Sequence, residues 1–383
     1  MTAVRVLHVI TGLGIGGAEQ QLRLLLRHLP VTCDVVTLTN PGPVAAGLAA
    51  DGVRVHHLGM TGNRDLSALP RLVRLVRRGG YDLVHTHLYR ACLYGRIAAR
   101  LAGVRAVVAT EHSLGGSQME GRALGPGVRA LYLAGERLGR TTVAVSPTVA
   151  DRLTRWGVPA PRIEVVPNGI DAGLFRFDAE RRARTRRELG LPAGAYVVGG
   201  VGRLAPGKRF DVLVDALALL PGDVRLLLVG AGPEEGALRG AARRAGVAER
   251  VLFAGERPAL PDGTPGPDLP SLLAAMDLFA SPSPEEAFGL AAVEALAAGL
   301  PVRYVSCPAV EDLPPGATGG AERVECAPES FARAVTDVRA RGALPRDAAD
   351  AAHHYCVTRS AARLMGVYAA AVARPTPAGA SSR

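Results

Sequence analysis

Two rhythms of apolar residues alternate along this chain. Short runs rich in Val, Leu and Ile are each followed by a longer stretch with apolar positions at helical spacing. In the first half, VRVLHVI reads as a buried strand, AEQQLRLLLRHL as a helix, and DVVTLT and VRVHHLG as strands. LPRLVRLVRR follows as a helix, DLVHTH as a strand, YGRIAARLAG as a helix and AVVATEHS as a strand, before TTVAVSPTVADRLTRWG supplies strand, turn and helix. RIEVVPNGID closes this half, with Asn168-Gly169 as its turn. The charged stretch from Asp178 to Glu188 reads as an exposed linker or helix. A second set then begins: AYVVGGVGRL (strand), FDVLVDALALL (helix), VRLLLVGAG (strand), EEGALRGAARRAG (helix), VLFAGE (strand), SLLAAMD (helix) and LFASPS (strand). This pattern predicts an α/β fold of two facing doubly wound, Rossmann-like domains, residues 1–172 and 173–358. A last apolar helix at about 359–373 is expected to return to the first domain, and the tail 374–383 to be disordered. Ligands of such sheets bind outside the carboxyl ends of the strands, which predicts an active site in the cleft between the domains.

Bulk properties narrow the class. The 383 residues, 48% hydrophobic and 21% charged, suit a globular enzyme of two domains. No apolar run approaches the roughly 18–20 residues of a membrane helix. MTAVRVLHVI lacks a cleavable signal pattern and reads directly as a first strand, so a cytoplasmic location is expected. The five cysteines (Cys33, Cys92, Cys307, Cys326, Cys356) are odd in number and scattered, as expected of reduced thiols. The net charge of +10 lies wholly in the first half, where residues 1–170 hold 20 Arg against 10 acids; residues 171–383 hold 25 basic and 25 acidic residues. In LPRLVRLVRR, Arg71, Arg74, Arg77 and Arg78 share one face and Leu69, Leu72, Val73 and Val76 the other. Such a helix either packs on its own sheet or rests on an anionic membrane. The expectation is at most a salt-sensitive peripheral contact with the inner face.

The chemistry concentrates in residues 281–302, SPSPEEAFGLAAVEALAAGLPV. A stiff Ser/Pro turn leads to a helix that stops at Gly299 and Pro301. The first turn of a helix suits a phosphate. Glu286 and Glu294 at and beyond that helix end suit sugar hydroxyls, or else complement the dipole and face solvent. A nucleotide sugar has both a diphosphate and hydroxyls. After the first strand, Gly12, Gly14 and Gly17 have GxGxxG spacing, yet the second strand ends in Thr39-Asn40-Pro41, without the acid that would hold the ribose of NAD. The glycines then serve either close approach to a phosphate or sugar or a tight structural turn. In Gly202-Arg203-Leu204-Ala205-Pro206-Gly207-Lys208, two cations flank a Pro-Gly turn, a clamp for a diphosphate. Of the 45 basic side chains only Lys208 is a lysine, as befits a compact point charge, though one occurrence is also compatible with chance.

Taken together these motifs resemble the retaining GT-B glycosyltransferases of family GT4, over nearly the whole chain. Four elements carry the resemblance: the GxGGAE loop (Gly14, Gly16, Gly17, Glu19), PNGID followed by Leu174-Phe175, GRLxPxK, and Glu286 and Glu294 as E-x7-E around FGL. The resemblance implies that Arg203 and Lys208 neutralise the donor diphosphate and that Glu286 binds hydroxyls of the transferred sugar. It implies that backbone N–H groups of Phe288, Gly289 and Leu290 hold phosphate or sugar oxygens, and that Glu294 binds the ribose. Gly14, Gly16 and Gly17 would approach the donor from the first domain. His112, in ATEHS, matches the family's active-site histidine; His85 and His87 lie at a strand end and could touch acceptor. The implied donor is a UDP- or GDP-linked sugar, with no other cofactor and no metal, since no Asp-x-Asp occurs. The implied acceptor is a hydroxyl of a lipid-linked or cell-surface glycan or of a small natural product; no nucleic acid is expected. The implied fold leaves a sugar-nucleotide epimerase as an alternative and an NAD enzyme as a remote one. A glycan phosphorylase using pyridoxal phosphate would need a second lysine. The segment from Arg303 to Val310, where the family has Gly-Gly-x-x-Glu, and the insertion PALPDGTPGPDLP depart from the family pattern.

Overall fold

The computed structural model describes residues 4–62, 65–115, 118–119, 122–123, 125–260, 265–314, 316–342 and 345–373. The expected disordered tail lies outside them. The chain divides into two compact units. Unit 1 comprises Met1–Gly14, Leu22–Pro167 and Thr358–Arg383, and unit 2 comprises Ile15–Gln21 and Asn168–Val357.

Unit 1 contains strands β1 (Arg5–Ile10), β2 (Thr32–Thr37), β3 (Arg54–His57), β4 (Leu83–His87), β5 (Ala106–Glu111), β6 (Gln118–Met119), β7 (Arg122–Ala123), β8 (Thr141–Ala144) and β9 (Ile163–Val165). Seven of them form one parallel sheet in the order β3-β2-β1-β4-β5-β8-β9, while β6 and β7 pair antiparallel. Strand residues alternate between faces. Leu7 and Val9 of β1 therefore join Val36, Val84 and Val107 in a core under the helices Ala68–Gly79 and Tyr89–Ala102. The helix Ala68–Gly79 buries Leu72, Val73 and Val76 in this core, and Arg71, Arg74, Arg77 and Arg78 are exposed. Arg71 donates to the Leu58 carbonyl at 2.8 Å and Arg77 to that of Leu101 at 2.6 Å. Its amphipathic pattern is thus explained by packing on its own unit. Among the described residues no helix is long and apolar enough to cross a membrane.

Unit 2 contains β10 (Tyr196–Val201), β11 (Val224–Val229), β12 (Val251–Gly255), β13 (Leu278–Ser281), β14 (Val302–Tyr304) and β15 (Ala321–Arg323), all parallel in the order β12-β11-β10-β13-β14-β15. Strand order reverses between β10 and β13, which makes their carboxyl ends the switch point where such sheets bind ligands. The stretch Asp178–Glu188 is no linker. It forms the helix Ala179–Glu188, with the Asp178 side chain capping the Arg181 N–H at 2.7 Å. From it Arg182 and Arg186 each bond Asp277 at 2.6 Å, and Arg186 also donates to the carbonyls of Ala275 (2.9 Å) and Ala195 (3.1 Å). Asp277 in turn accepts the Val197 N–H at 2.8 Å, so this ion cluster fixes the start of β10 beside β13.

Candidate functional site

The switch point of unit 2 holds the predicted clamp and the first acid. Gly202-Arg203-Leu204 follows β10, and Pro282 to Glu286 follows β13. The clamp loop is clipped to the loop after β11: the Gly202 N–H donates to the Val229 carbonyl and the Leu204 N–H to that of Ala231, both at 2.9 Å. Leu204 is fully buried as the plug of this turn, while Arg203 is exposed. Gly230 and Gly232 carry the close approach. A Cβ on Gly230 would run into the Gly202 carbonyl oxygen, and one on Gly232 into that of Leu204. Neither glycine was singled out from sequence, although VGAG after a strand displays them. Beyond the Pro206-Gly207-Lys208 turn, Arg209 has φ +52°, a left-handed conformation that costs a non-glycine residue about 1–2 kcal/mol. This bend swings the chain into the helix Phe210–Ala218, and Arg209 is held by Asp211 at 3.0 Å.

The clamp then meets the acid. Lys208 Nζ donates to Glu286 Oε1 in an ion pair. Buried Ser283 ties the two loops behind it, donating to the Glu285 carbonyl at 2.9 Å and sharing its hydroxyl with that of Gly207 at 3.3 Å. Lys208 is one-third exposed, so the pair is partly screened and weighs little on stability. Its value is that it places a cation and a carboxylate side by side.

Next comes the helix Leu290–Ala297, capped by Gly289 with no side-chain cap. Gly289 is required twice over: its φ is +96°, and a Cβ there would strike Cys307 Sγ. Cys307 is buried, and the Phe288 carbonyl accepts the Ala309 N–H at 2.8 Å. The segment that departs from the family pattern therefore backs the helix entrance. Arg303 within it is structural: 3% exposed, it donates to the carbonyls of Val302 (2.9 Å) and Gly320 (3.1 Å) and pairs with Glu322 at 2.9 Å. The Phe288 ring is buried against Tyr355, leaving its backbone as the part that can meet a ligand. Glu294 is not a solvated helix residue. It is 8% exposed, and burial pushes its carboxyl up to about 8. Of the inserted loop, residues 261–264 lie outside the described set; beyond them Asp268 caps the helix Leu269–Ala275 through the Ser271 N–H at 2.9 Å.

The glycine loop after β1 is braced by its own chain. The Leu13 N–H donates to the Asn40 carbonyl at 2.9 Å, and Thr39 donates its hydroxyl to the Thr11 carbonyl at 2.7 Å. Turn residues thus stand where a dinucleotide fold would offer an acid. Gly14 belongs to unit 1, whereas Gly16 and Gly17 group with unit 2. A Cβ on Gly16 would collide with Glu19, and one on Gly17 would come 4.0 Å from Leu290 Cδ2.

Four histidines gather in unit 1. His8 stands opposite His85 in the β1–β4 register, and His87 follows on the same face. His85 is sealed in, its ring nitrogens bonded to Tyr368 Oη (2.6 Å) and Thr110 Oγ1 (2.7 Å). His87 is likewise buried, with Nε2 at 3.0 Å from His8 Nδ1 and Nδ1 at 3.1 Å from His112 Nε2. Neither has a nitrogen left for an acceptor, which corrects that expectation. Burial lowers all four: His8 to about 3, half-buried His112 to about 4, and His85 and His87 well below the usual range.

Similarity to known proteins agrees with this geometry. Residues 15–174 match the family described as Glycosyltransferase Family 4, and residues 195–340 match Glycosyl transferases group 1. The D-inositol 3-phosphate glycosyltransferase of Salinispora tropica is 34% identical over 77% of this chain and 65% of its own length. That of Salinispora arenicola is 33% identical over 78% of this chain and 71% of its own. The chain thus spans about two-thirds of these relatives. Among solved structures, Anabaena HepE in complex with UDP and glucose superposes with a TM-score of 0.81 at 23% identity, over 96% of this chain and 100% of that one. WaaG, a glycosyltransferase involved in lipopolysaccharide biosynthesis, superposes at 0.66 and 17% identity, over 94% and 99%. With both sheets parallel and both halves matched, the fold is GT-B and the chain belongs to glycosyltransferase family 4 of the group 1 glycosyltransferases.

Proposed function

We propose that this protein is a retaining, metal-independent glycosyltransferase that moves a sugar from a nucleoside-diphosphate sugar to an acceptor hydroxyl. The observation that carries the reading is the Lys208–Glu286 pair at the unit 2 switch point, directly ahead of the Gly289-capped helix. An ammonium beside a helix N-terminus suits a diphosphate, and a carboxylate next to both suits sugar hydroxyls. In the reaction the bond between the anomeric carbon and the phosphate oxygen breaks, and its electron pair stays on that oxygen. The acceptor oxygen bonds to the anomeric carbon from the same face and passes its proton to the departing phosphate. Lys208 and Arg203 hold the charge that develops on the leaving group, while Glu286, Phe288, Gly289 and Leu290 position sugar and phosphate. Glu294 takes the ribose hydroxyls and His112 contacts the donor sugar.

HepE has been crystallised with UDP, glucose and UDP-glucose, which makes UDP-sugars the first donors to test. The named relatives put inositol phosphates in the acceptor panel beside lipid-linked glycans and small natural products. For a lipid-linked acceptor, the exposed arginines of Ala68–Gly79 offer a salt-sensitive contact with anionic headgroups. The test is mass spectrometry of products from UDP- and GDP-sugars with this panel, with and without EDTA, and with Glu286→Ala as control. A new glycoside with the donor's anomeric configuration, formed in EDTA and lost in the variant, is expected. Epimerised donor without transfer, or inverted product, would overturn the reading.

A further inference from the structure

The ammonium of Lys208 already has an anion beside it. Lys208 Nζ donates to Glu286 Oε1, and the two side chains are 33% and 16% exposed. Buried Ser283 holds the backbone next to each partner. It donates to the Glu285 carbonyl at 2.9 Å and shares its hydroxyl with that of Gly207 at 3.3 Å, which fixes the spacing of the two loops. A phosphate oxygen that reaches Lys208 therefore joins a carboxylate on the same ammonium. Two anions that share one ammonium lie within about 6 Å of each other, twice the length of a charge-assisted hydrogen bond. Coulomb's law sets the consequence at that distance. Between the dielectric of water and that of a protein surface, the carboxylate weakens binding about 3- to 100-fold for each unit of negative charge on the phosphate.

Sugar transfer changes the charge on that phosphate. In a nucleoside-diphosphate sugar each phosphate carries one negative charge, and the sugar covers the terminal one. Once the anomeric bond breaks, the terminal phosphate is free. The proton it receives from the acceptor exchanges into water, and its second ionisation, near pH 6, leaves it close to doubly charged at neutral pH. We propose that Glu286 discriminates by charge as well as binding hydroxyls: it accepts a sugar-capped diphosphate and disfavours the bare diphosphate that remains after transfer. This rests on the donor reading of the Lys208–Glu286 pair. With the sugar present, its hydroxyls donate to the carboxylate and offset the repulsion. With the sugar gone, the carboxylate loses those donors and faces one more negative charge, so the product leaves and Lys208 returns wholly to Glu286. The pair thus sets the order of affinity between donor and product.

The test is isothermal titration of the full-length wild type and Glu286→Gln at pH 7.5, in about 50 and about 500 mM NaCl. The probes are UDP, UDP-glucose, GDP and GDP-mannose. Glutamine keeps the size of the side chain and removes its charge. At the lower salt the variant is expected to bind the diphosphate of the accepted base about 3- to 100-fold tighter than wild type. The matching sugar nucleotide should gain less, because the hydroxyl contacts weaken. The gain on the diphosphate should shrink at the higher salt, where the Debye length falls to a few ångströms. A gain below about threefold, a gain indifferent to salt, or an equal gain on the sugar nucleotide would overturn the proposal. Glu286→Ser also removes the charge and repeats the measurement if the glutamine variant does not fold. If neither diphosphate binds wild type or variant, the donor reading falls and takes the discrimination with it. If the diphosphates bind and the variant holds them no tighter, the discrimination alone falls.

Discussion

Glu294→Gln isolates the energetic cost of a buried acid. The carboxyl ionises near 4.5 when exposed and near 8 in the fold, with desolvation as the cause. Because the folded value is the higher one, the folded state holds the proton that the unfolded chain has already released between these two pH values. Stability therefore falls as pH rises from about 4.5 to about 8, with a limiting slope of about 1.4 kcal/mol per pH unit, and stays flat above. The full difference corresponds to about 5 kcal/mol, an upper bound that relaxation around the carboxylate reduces. Glutamine keeps the shape and does not titrate. Urea unfolding of wild type and variant from pH 5 to pH 9 should give curves that match at pH 5 and separate by about 2–4 kcal/mol at pH 8, the variant being more stable. At pH 9, where the folded carboxyl is ionised, the same variant should weaken donor binding more than it slows transfer, because a carboxylate accepts two ribose hydroxyls and an amide does not. Parallel stability curves would refute the burial argument, and unchanged donor affinity would refute the ribose assignment.

Other perturbations probe the remaining parts. Lys208→Met should lower kcat by about 100- to 1,000-fold, the usual effect of removing a group that holds transition-state charge, while urea unfolding shifts by less than about 1 kcal/mol; a stability loss as large as the kinetic one would make Lys208 structural. Gly289→Ala should cost more than 2 kcal/mol, roughly, from strain at φ +96° plus the collision with Cys307, and adding Cys307→Ala should recover the steric part only, leaving about 1 kcal/mol. Asp277→Ala strips the shared partner of Arg182 and Arg186, so thermal unfolding should show a loss of about 2–4 kcal/mol. A loss below 1 kcal/mol, roughly, would mean that the two arginines find water instead.

Ten of the thirteen strands of the two parallel sheets were legible because parallel strands buried on both faces leave near-continuous apolar runs, whereas β9, β14 and β15, three residues each, are too short to show one. The four helices named in the first half were equally plain. Helices that bury little pattern were not: Gly42–Ala50 (GPVAAGLAA) is small and apolar all round, and Pro126–Glu136 mixes Gly, Arg and Glu with its apolar residues. The charged stretch Asp178–Glu188, read as an exposed linker or helix, is a helix, and most of it is exposed. What its charge concealed is that the guanidinium groups of Arg182 and Arg186 reach far enough to bind carbonyls and a carboxylate at the start of a neighbouring strand.

At the site, legibility followed whether a role depends on residue type or on neighbours brought in from elsewhere. Lys208 and Glu286, 78 positions apart, were both found because their chemistry shows in their own motifs; that they pair emerges only once β10 and β13 lie side by side. Gly289 announced a helix entrance, but the reason no side chain fits there is a cysteine 18 residues later, in the segment that departs from the family pattern. Glu294 looked like either ligand or solvated acid, and burial is a property of the packed helix rather than of its spelling. The histidines show this most sharply. HTH and ATEHS drew attention to His85, His87 and His112, yet His8 passed as one polar letter inside VRVLHVI. The β1–β4 register makes His8 the partner of His85 and places His87 next on the same face, which joins a first-strand histidine to a fifth-strand one. A functional assignment resting on single motifs therefore stops at His112, whereas the sheet itself brings His8, His85 and His87 into one buried group beside it.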